Sequence, residues 1–87
     1  MIASILKTGA PVTDQGREFF KRFKSTVGVL HSFQLVNVDD PNDTAVVTIW
    51  KDAASRDAYM NSSSLKQEID KAYTNQSRTV YDVIDSM

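Results

Sequence analysis

The sequence predicts one α+β domain, an antiparallel sheet with its helices on one side. Three observations predict it. Four stretches alternate with the two-residue period of a strand, and two longer stretches between them carry apolar residues at helical spacing. A turn-forming cluster, Asp40-Pro41-Asn42-Asp43, joins the second and third strand stretches as a hairpin, with proline fixing φ and the Asx side chains bonding to nearby backbone. Eighty-seven residues fit a single domain near the small end of what folds without staples.

The elements follow in order. Ile2, Ser4 and Leu6 alternate with Ala3 and Ile5 in a short first strand, which Gly9, Ala10 and Pro11 end. Thr13 or Asp14 can cap the next helix. That helix carries Phe19, Phe20, Phe23 and Val27 on one side and Arg17, Lys21, Arg22 and Lys24 on the other, with Gly28 closing it. A long second strand follows, with Val29, His31, Phe33 and Leu35 on one face and Leu30, Ser32, Gln34, Val36 and Val38 on the other. After the turn, Thr44 to Trp50 is rich in β-branched residues and apolar on both faces, the mark of a buried strand.

The pattern switches at Asp52, whose short acceptor side chain and negative charge suit a helix start. Trp50 therefore stands where a strand hands over to a helix, a common place for a pocket mouth. The helix comes in two pieces, because Asn61-Ser62-Ser63-Ser64 interrupts it and Ser64 with Gln67 has the spacing of a capping box. Leu65, Ile69, Ala72 and Tyr73 form the inward stripe of the second piece. Residues 79–84 make a closing strand, with Val80, Asp82 and Ile84 against Tyr81 and Val83.

The order βαββαβ is that of the ferredoxin-like fold: a four-stranded antiparallel sheet with two helices, placed on one face by right-handed crossovers. Every strand has apolar residues on both sides, and the helices cover only one. At roughly 25 cal/mol per Å2, several hundred Å2 of exposed apolar sheet would remove much of the stability of so small a domain. A homodimer packed sheet against sheet is the expected remedy.

Composition narrows the function classes. There is no cysteine, which excludes disulfides, zinc–thiolate sites and thiol nucleophiles. The opening apolar run is shorter than a signal-peptide core and lacks a basic lead, and no stretch reaches the roughly 20 apolar residues that span a bilayer, so a cytoplasmic location without membrane contact is expected. Ten Lys and Arg against eleven Asp and Glu leave a net charge of −1. The basic cluster from Arg17 to Lys24 then reads as a solvated helix face, and no nucleic-acid partner is expected. One histidine and scattered carboxylates offer no metal-ligand spacing, and Gly9, Gly16 and Gly28 form no phosphate loop.

The strand-then-helix element, with Trp50 at its junction and the series Trp50, Ala54, Tyr59, Met60, Ser62, resembles the antibiotic-biosynthesis-monooxygenase-like family of dimeric α/β barrels. The resemblance covers nearly the whole chain. It implies a homodimer with a pocket in each subunit between sheet and helices. Family members include cofactor-free monooxygenases of aromatic polyketides, quinol oxygenases, haem-degrading enzymes and proteins without known activity. The haem-degrading pattern departs from this sequence, which has Ile69 where their histidine stands and Ser4 and Leu6 where their first-strand asparagine stands. The polyketide oxidases are similar in having Trp, Tyr and Asn near the pocket, parts that Trp50, Tyr59 and Asn61 would take here. No cofactor is implied.

The candidate site residues each have a plainer alternative. His31, the one side chain that titrates near neutrality when unperturbed, is a candidate general base or a hydrogen-bonded strand residue. Tyr59 and Asn61 join it as candidate catalytic groups, Tyr59 alternatively covering the helix–sheet seam. Trp50, Phe19, Phe23, Phe33 and Leu65 are the candidate ligand wall, or core. Two functions follow: a cofactor-independent oxygenase of an aromatic or quinol-like substrate, or a non-catalytic protein holding an elongated apolar molecule such as an acyl chain. A purely structural dimer is a third.

Overall fold

In the computed structural model, which describes residues 1–86, each helix begins at a side chain that receives its free N–H groups. Thr13 accepts from Gly16 N–H at the head of α1 (Asp14–Phe23), and Asp52 accepts from Ser55 N–H at the head of α2 (Ala53–Ser62). Ser63 accepts from Lys66 N–H to start α3 (Ser64–Ala72). The last cap lies one residue before the expected Ser64. Ser63 is extended, with φ −80° and ψ 124°, and its own N–H closes α2 on the Tyr59 carbonyl, so one residue ends a helix and starts the next.

Four strands, β1 (Ile2–Lys7), β2 (Val29–Asn37), β3 (Asp40–Trp50) and β4 (Ser77–Asp82), form one antiparallel sheet in the order β2-β3-β1-β4. This is the ferredoxin-like α+β arrangement, its second helix split in two. The closing strand starts two residues earlier than expected, at Ser77 rather than Thr79.

The hairpin also turns earlier than expected. Asn37 pairs with Asp40, and Asp40 already belongs to β3. Asn37 Oδ1 accepts from Asp39 N–H, so an Asx turn at Asn37 bends the chain before Pro41 is reached. Pro41, Asn42 and Asp43 are then extra residues between the pairs Val36–Thr44 and Asn37–Asp40, a register shift in which proline's missing N–H does no harm.

Two further expectations are corrected near α1. The helix stops at Phe23, and Val27 beyond it is 87% exposed instead of joining the phenylalanine stripe. Gly28, at φ +90°, shapes the entry to β2 rather than the helix end; its carbonyl accepts from Lys51 N–H at 2.8 Å. A β-bulge lies between Val29 and His31. Val29 opposite Trp50 packs on the core, while His31 opposite Ile49 points to the other face, so the two do not share a face as simple alternation suggests.

The helices cover one face of the sheet, and between the layers lie Ile2, Phe19, Phe23, Trp50, Tyr59, Leu65 and Ile69, all buried. Register assigns the rest. Ser4, Thr48 and Ser32 align across β1, β3 and β2 on the helix side, as do Val46 and Gln34, and Thr44 lies further along it. The outer side carries Ala3, Ile5, Val47, Ile49, Phe33 and Leu35, joined by Tyr81 from β4. The more apolar side of the sheet is thus the one without helices, and Phe33 and Tyr81 there are 55% and 54% exposed. No helix among the described residues is long and apolar enough to cross a membrane.

Candidate functional site

Polar side chains on the helix side of the sheet are explained by a cavity. It lies between the sheet and the helices, has a volume of about 90 Å3, and has a mostly apolar wall. That is room for several waters or a small ring system rather than a packing defect. Its floor is Ser4, Thr44, Val46 and Thr48, and its roof comes from Phe19, Phe20 and Phe23 of α1 with Tyr59 and Met60 of α2.

An aromatic cluster forms one end. The Phe23 ring meets Trp50 edge-to-face with centroids 5.7 Å apart and Tyr59 at 5.2 Å, while Trp50 and Tyr59 stand 5.6 Å apart, tilted at 43°. Trp50 is 2% exposed, and its indole N–H donates to Ser4 Oγ at 3.0 Å. The Ser32 and Thr48 hydroxyls share a hydrogen bond of 2.9 Å, and the Thr44 hydroxyl donates to the Ala10 carbonyl at 2.7 Å. These floor hydroxyls are already engaged.

Tyr59 differs. Burial pushes its phenol up to about 12, with Asp70 adding to the rise and Arg78 opposing it, and no hydrogen bond to the hydroxyl forms among the described residues. It therefore stands as a neutral donor without a partner beside the cavity. Arg78, from the helix side of β4, is also in the wall. Its guanidinium reaches Asp70 Oδ1 at 3.3 and 3.4 Å, and Lys66 reaches Asp70 Oδ2 at 2.6 Å. Gln76 donates its amide N–H to the same carboxylate, an orientation set by the acceptor it faces. Burial pushes the Asp70 carboxyl up, but these donors and charges outweigh it and hold it below the usual range. Arg56 of α2 completes the charged wall, with Asp57 3.9 Å away.

Of the residues singled out from sequence, Trp50, Tyr59, Phe19 and Phe23 line the cavity together. Leu65 is buried in the adjoining core. His31 and Phe33 lie on the outer face of the sheet, and Asn61 is exposed on α2 two residues past Tyr59, so the three are not brought to the cavity. His31 is turned outward by the bulge that precedes it. Arg78, Arg56, Ser4 and Tyr73 are in the wall without having been expected there. Arg78 had a readable signal, since starting the last strand two residues earlier puts it on the face of Val80 and Asp82.

No protein-family sequence model matches this chain, and no curated protein sequence does either. Solved structures match over its whole length. A Deinococcus radiodurans protein assigned as an antibiotic biosynthesis monooxygenase superposes with a TM-score of 0.78 at 13% identity, covering 100% of this chain and 96% of that one. The fold is that of the antibiotic biosynthesis monooxygenases. A variant of SnoaB, a cofactor-independent oxygenase from Streptomyces nogalater, gives a TM-score of 0.73 at 14% identity over 99% of this chain and 94% of its own. MhuD, crystallised as a variant with two manganese protoporphyrin IX molecules per active site, gives 0.65 at 19% identity over 100% and 98%. Proteins with this monooxygenase-type fold thus include one that holds a porphyrin and one that oxygenates without a cofactor.

Proposed function

We propose that this protein binds a small aromatic molecule in the cavity and oxygenates it without a cofactor, working as a homodimer joined through the outer sheet face. The observation that carries the reading is the Phe23–Trp50–Tyr59 end of the cavity, where aromatic walls meet an unpartnered phenol whose pKa burial pushes up to about 12. A hydroquinone-like substrate lies against such walls, and the Tyr59 O–H donates to its ionised oxygen. Burial strengthens that hydrogen bond, and it is the donated O–H, not the burial, that favours the electron-rich anion that reacts with oxygen. The reaction balances as hydroquinone plus O2 giving hydroxyquinone plus water: one oxygen atom enters the ring, the other leaves as water, and the substrate supplies the electrons. The cofactor-independent oxygenase among the similar structures supports this reading.

A porphyrin fits these residues poorly. The sole histidine, His31, faces away from the cavity, so no imidazole is offered to an iron there.

The dimer rests on the inverted polarity of the sheet. Phe33, Leu35 and Tyr81 are exposed around Ile5, Val47 and Ile49, and a second copy of the same face buries them all.

A non-catalytic binding role is the second reading, and one observation favours it: among the described residues no histidine or carboxylate lines the cavity to act as a base. Oxygen uptake with an anthrone and a hydroquinone separates the two. The oxygenase consumes oxygen, and Tyr59→Phe lowers kcat about a hundredfold with the fold intact. Binding of these molecules with no oxygen uptake leaves the non-catalytic role.

A further inference from the structure

The charges in the cavity wall are one-sided. Arg56 and Arg78 line it, and among the described residues no aspartate or glutamate does. Asp70 lies behind Arg78 but does not neutralise the wall, because Lys66 and Arg78 share its single carboxylate and Lys66 holds the closer contact, 2.6 Å against 3.3 Å. Gln76 takes a further share of Asp70 Oδ1. Both Arg78 contacts go to one oxygen at lengths above those of a tight charge-assisted pair, so the fork is held in place with donors to spare. Arg56 is weakly paired, its aspartate neighbour being 64% exposed. Two arginines, their side chains 20% and 21% exposed, thus stand in the wall of a mostly apolar cavity.

We propose that the ligand is an aromatic anion, a ring bearing an ionised oxygen such as a carboxylate, which Arg78 receives near Tyr59 and the positive charge of Arg56 in the same wall also attracts. The inference rests on the cavity being an aromatic-ligand site and adds the charge of the occupant. It also accounts for Asp70, which sets the guanidinium's direction without cancelling its charge. The apolar end packs against Phe19 and Phe23, and the anion meets the Arg78 donors that Asp70 leaves free.

The test compares two probes of one shape, 2-naphthoate and 2-naphthamide, by isothermal titration calorimetry on the wild-type protein. Naphthoate is expected to bind at least about tenfold more tightly, the usual margin of a hydrogen bond to a charged group. Arg78→Gln is expected to abolish that margin, the loss falling mainly on naphthoate, since the guanidinium charge favours the anion over the neutral amide. Equal binding of the two probes to the wild type overturns the inference and leaves the aromatic site standing. A margin that survives in both Arg78→Gln and Arg56→Gln overturns it as well. If neither probe binds, the aromatic-site reading falls and the inference falls with it. The wild-type comparison needs no variant to fold.

Discussion

The indole N–H of Trp50 donates to the hydroxyl of Ser4 across the β1–β3 ladder at 3.0 Å, and this one bond fixes the largest side chain in the cavity wall. Ser4 is two residues along from the one opposite Trp50 and on the same face, since Ile2 pairs with Trp50 and Ser4 with Thr48. The bond therefore runs diagonally, tilting the ring over the floor toward Tyr59. Ser4→Ala leaves the indole donor buried without a partner and is expected to cost about 1–3 kcal/mol in urea unfolding. Because Trp50 is the one tryptophan, its emission spectrum in the folded variant reports the loss directly.

Gly28 is expected to accept no side chain. Its φ is +90°, and a Cβ there would come within 2.2 Å of Ser55 Cβ. Gly28→Ala should lose at least about 2 kcal/mol of stability, from the strained backbone and the clash together. Measured against Ser55→Gly alone, which loses its own bond to Asp52, adding Gly28→Ala should cost only the backbone part, which a pair of urea curves shows.

Tyr59 gives stability an alkaline limb. Its phenol is raised from 10.0 to about 12 in the folded chain, so between these values the folded state holds a proton that the unfolded state has lost. The stability from this group is complete below the unfolded value and is lost as pH rises through the folded one. Urea midpoints measured from pH 9 to 12 should fall less steeply in Tyr59→Phe than in the wild type.

Asp52 gives an acid limb of opposite sign. Hydrogen bonds from the Ser55 side chain and backbone hold its carboxyl below the usual range. Its contribution is present above the unfolded value and disappears as pH falls through the folded one. Asp52→Asn keeps an acceptor at the cap and removes the titration, so its urea midpoint between pH 5 and 2 should change less than that of the wild type.

The proposed dimer face has its own probe. Phe33 sits in the exposed apolar patch, opposite Val47 and away from the cavity. Phe33→Lys should raise the dimer dissociation constant by tenfold or more, on the order of a lost interface anchor. Light scattering on the wild type should give twice the chain mass, and on the variant a value falling toward the single chain on dilution.

Strands, helices and their order were readable because each rests on a local period or a local cap. Thr13 and Asp52 are caps in the sequence and in the structure. Legibility failed where one residue changes the phase. The bulge after Val29 sends His31 outward, and no side-chain pattern marks it, since a bulge is a matter of pairing with Trp50 and Ile49 on another strand. The Asx turn at Asn37 beat the stronger-looking Pro41 cluster because a single side-chain bond to Asp39 N–H acts first along the chain. In the cavity, Trp50, Tyr59, Phe19 and Phe23 were found, while Tyr73 and both arginines, Arg56 and Arg78, were not. Aromatics announce themselves by type, whereas Arg78 belongs to the wall only through the register of β4 against β1.

The break at Ser63 sets which side chains face inward. At about 100° per residue, an unbroken helix continuing from Tyr59 would bring Lys66 and Asp70 round to the buried side and turn Leu65 and Ile69 outward. The extended residue resets the angular phase, so that Leu65 and Ile69 fall in line with Tyr59 while Lys66 and Asp70 swing to the flank where Arg78 waits. A single serine thereby sorts oil from charge along the second half of the chain, and a helix former in its place would ask the domain to bury an ion pair where it now buries a leucine.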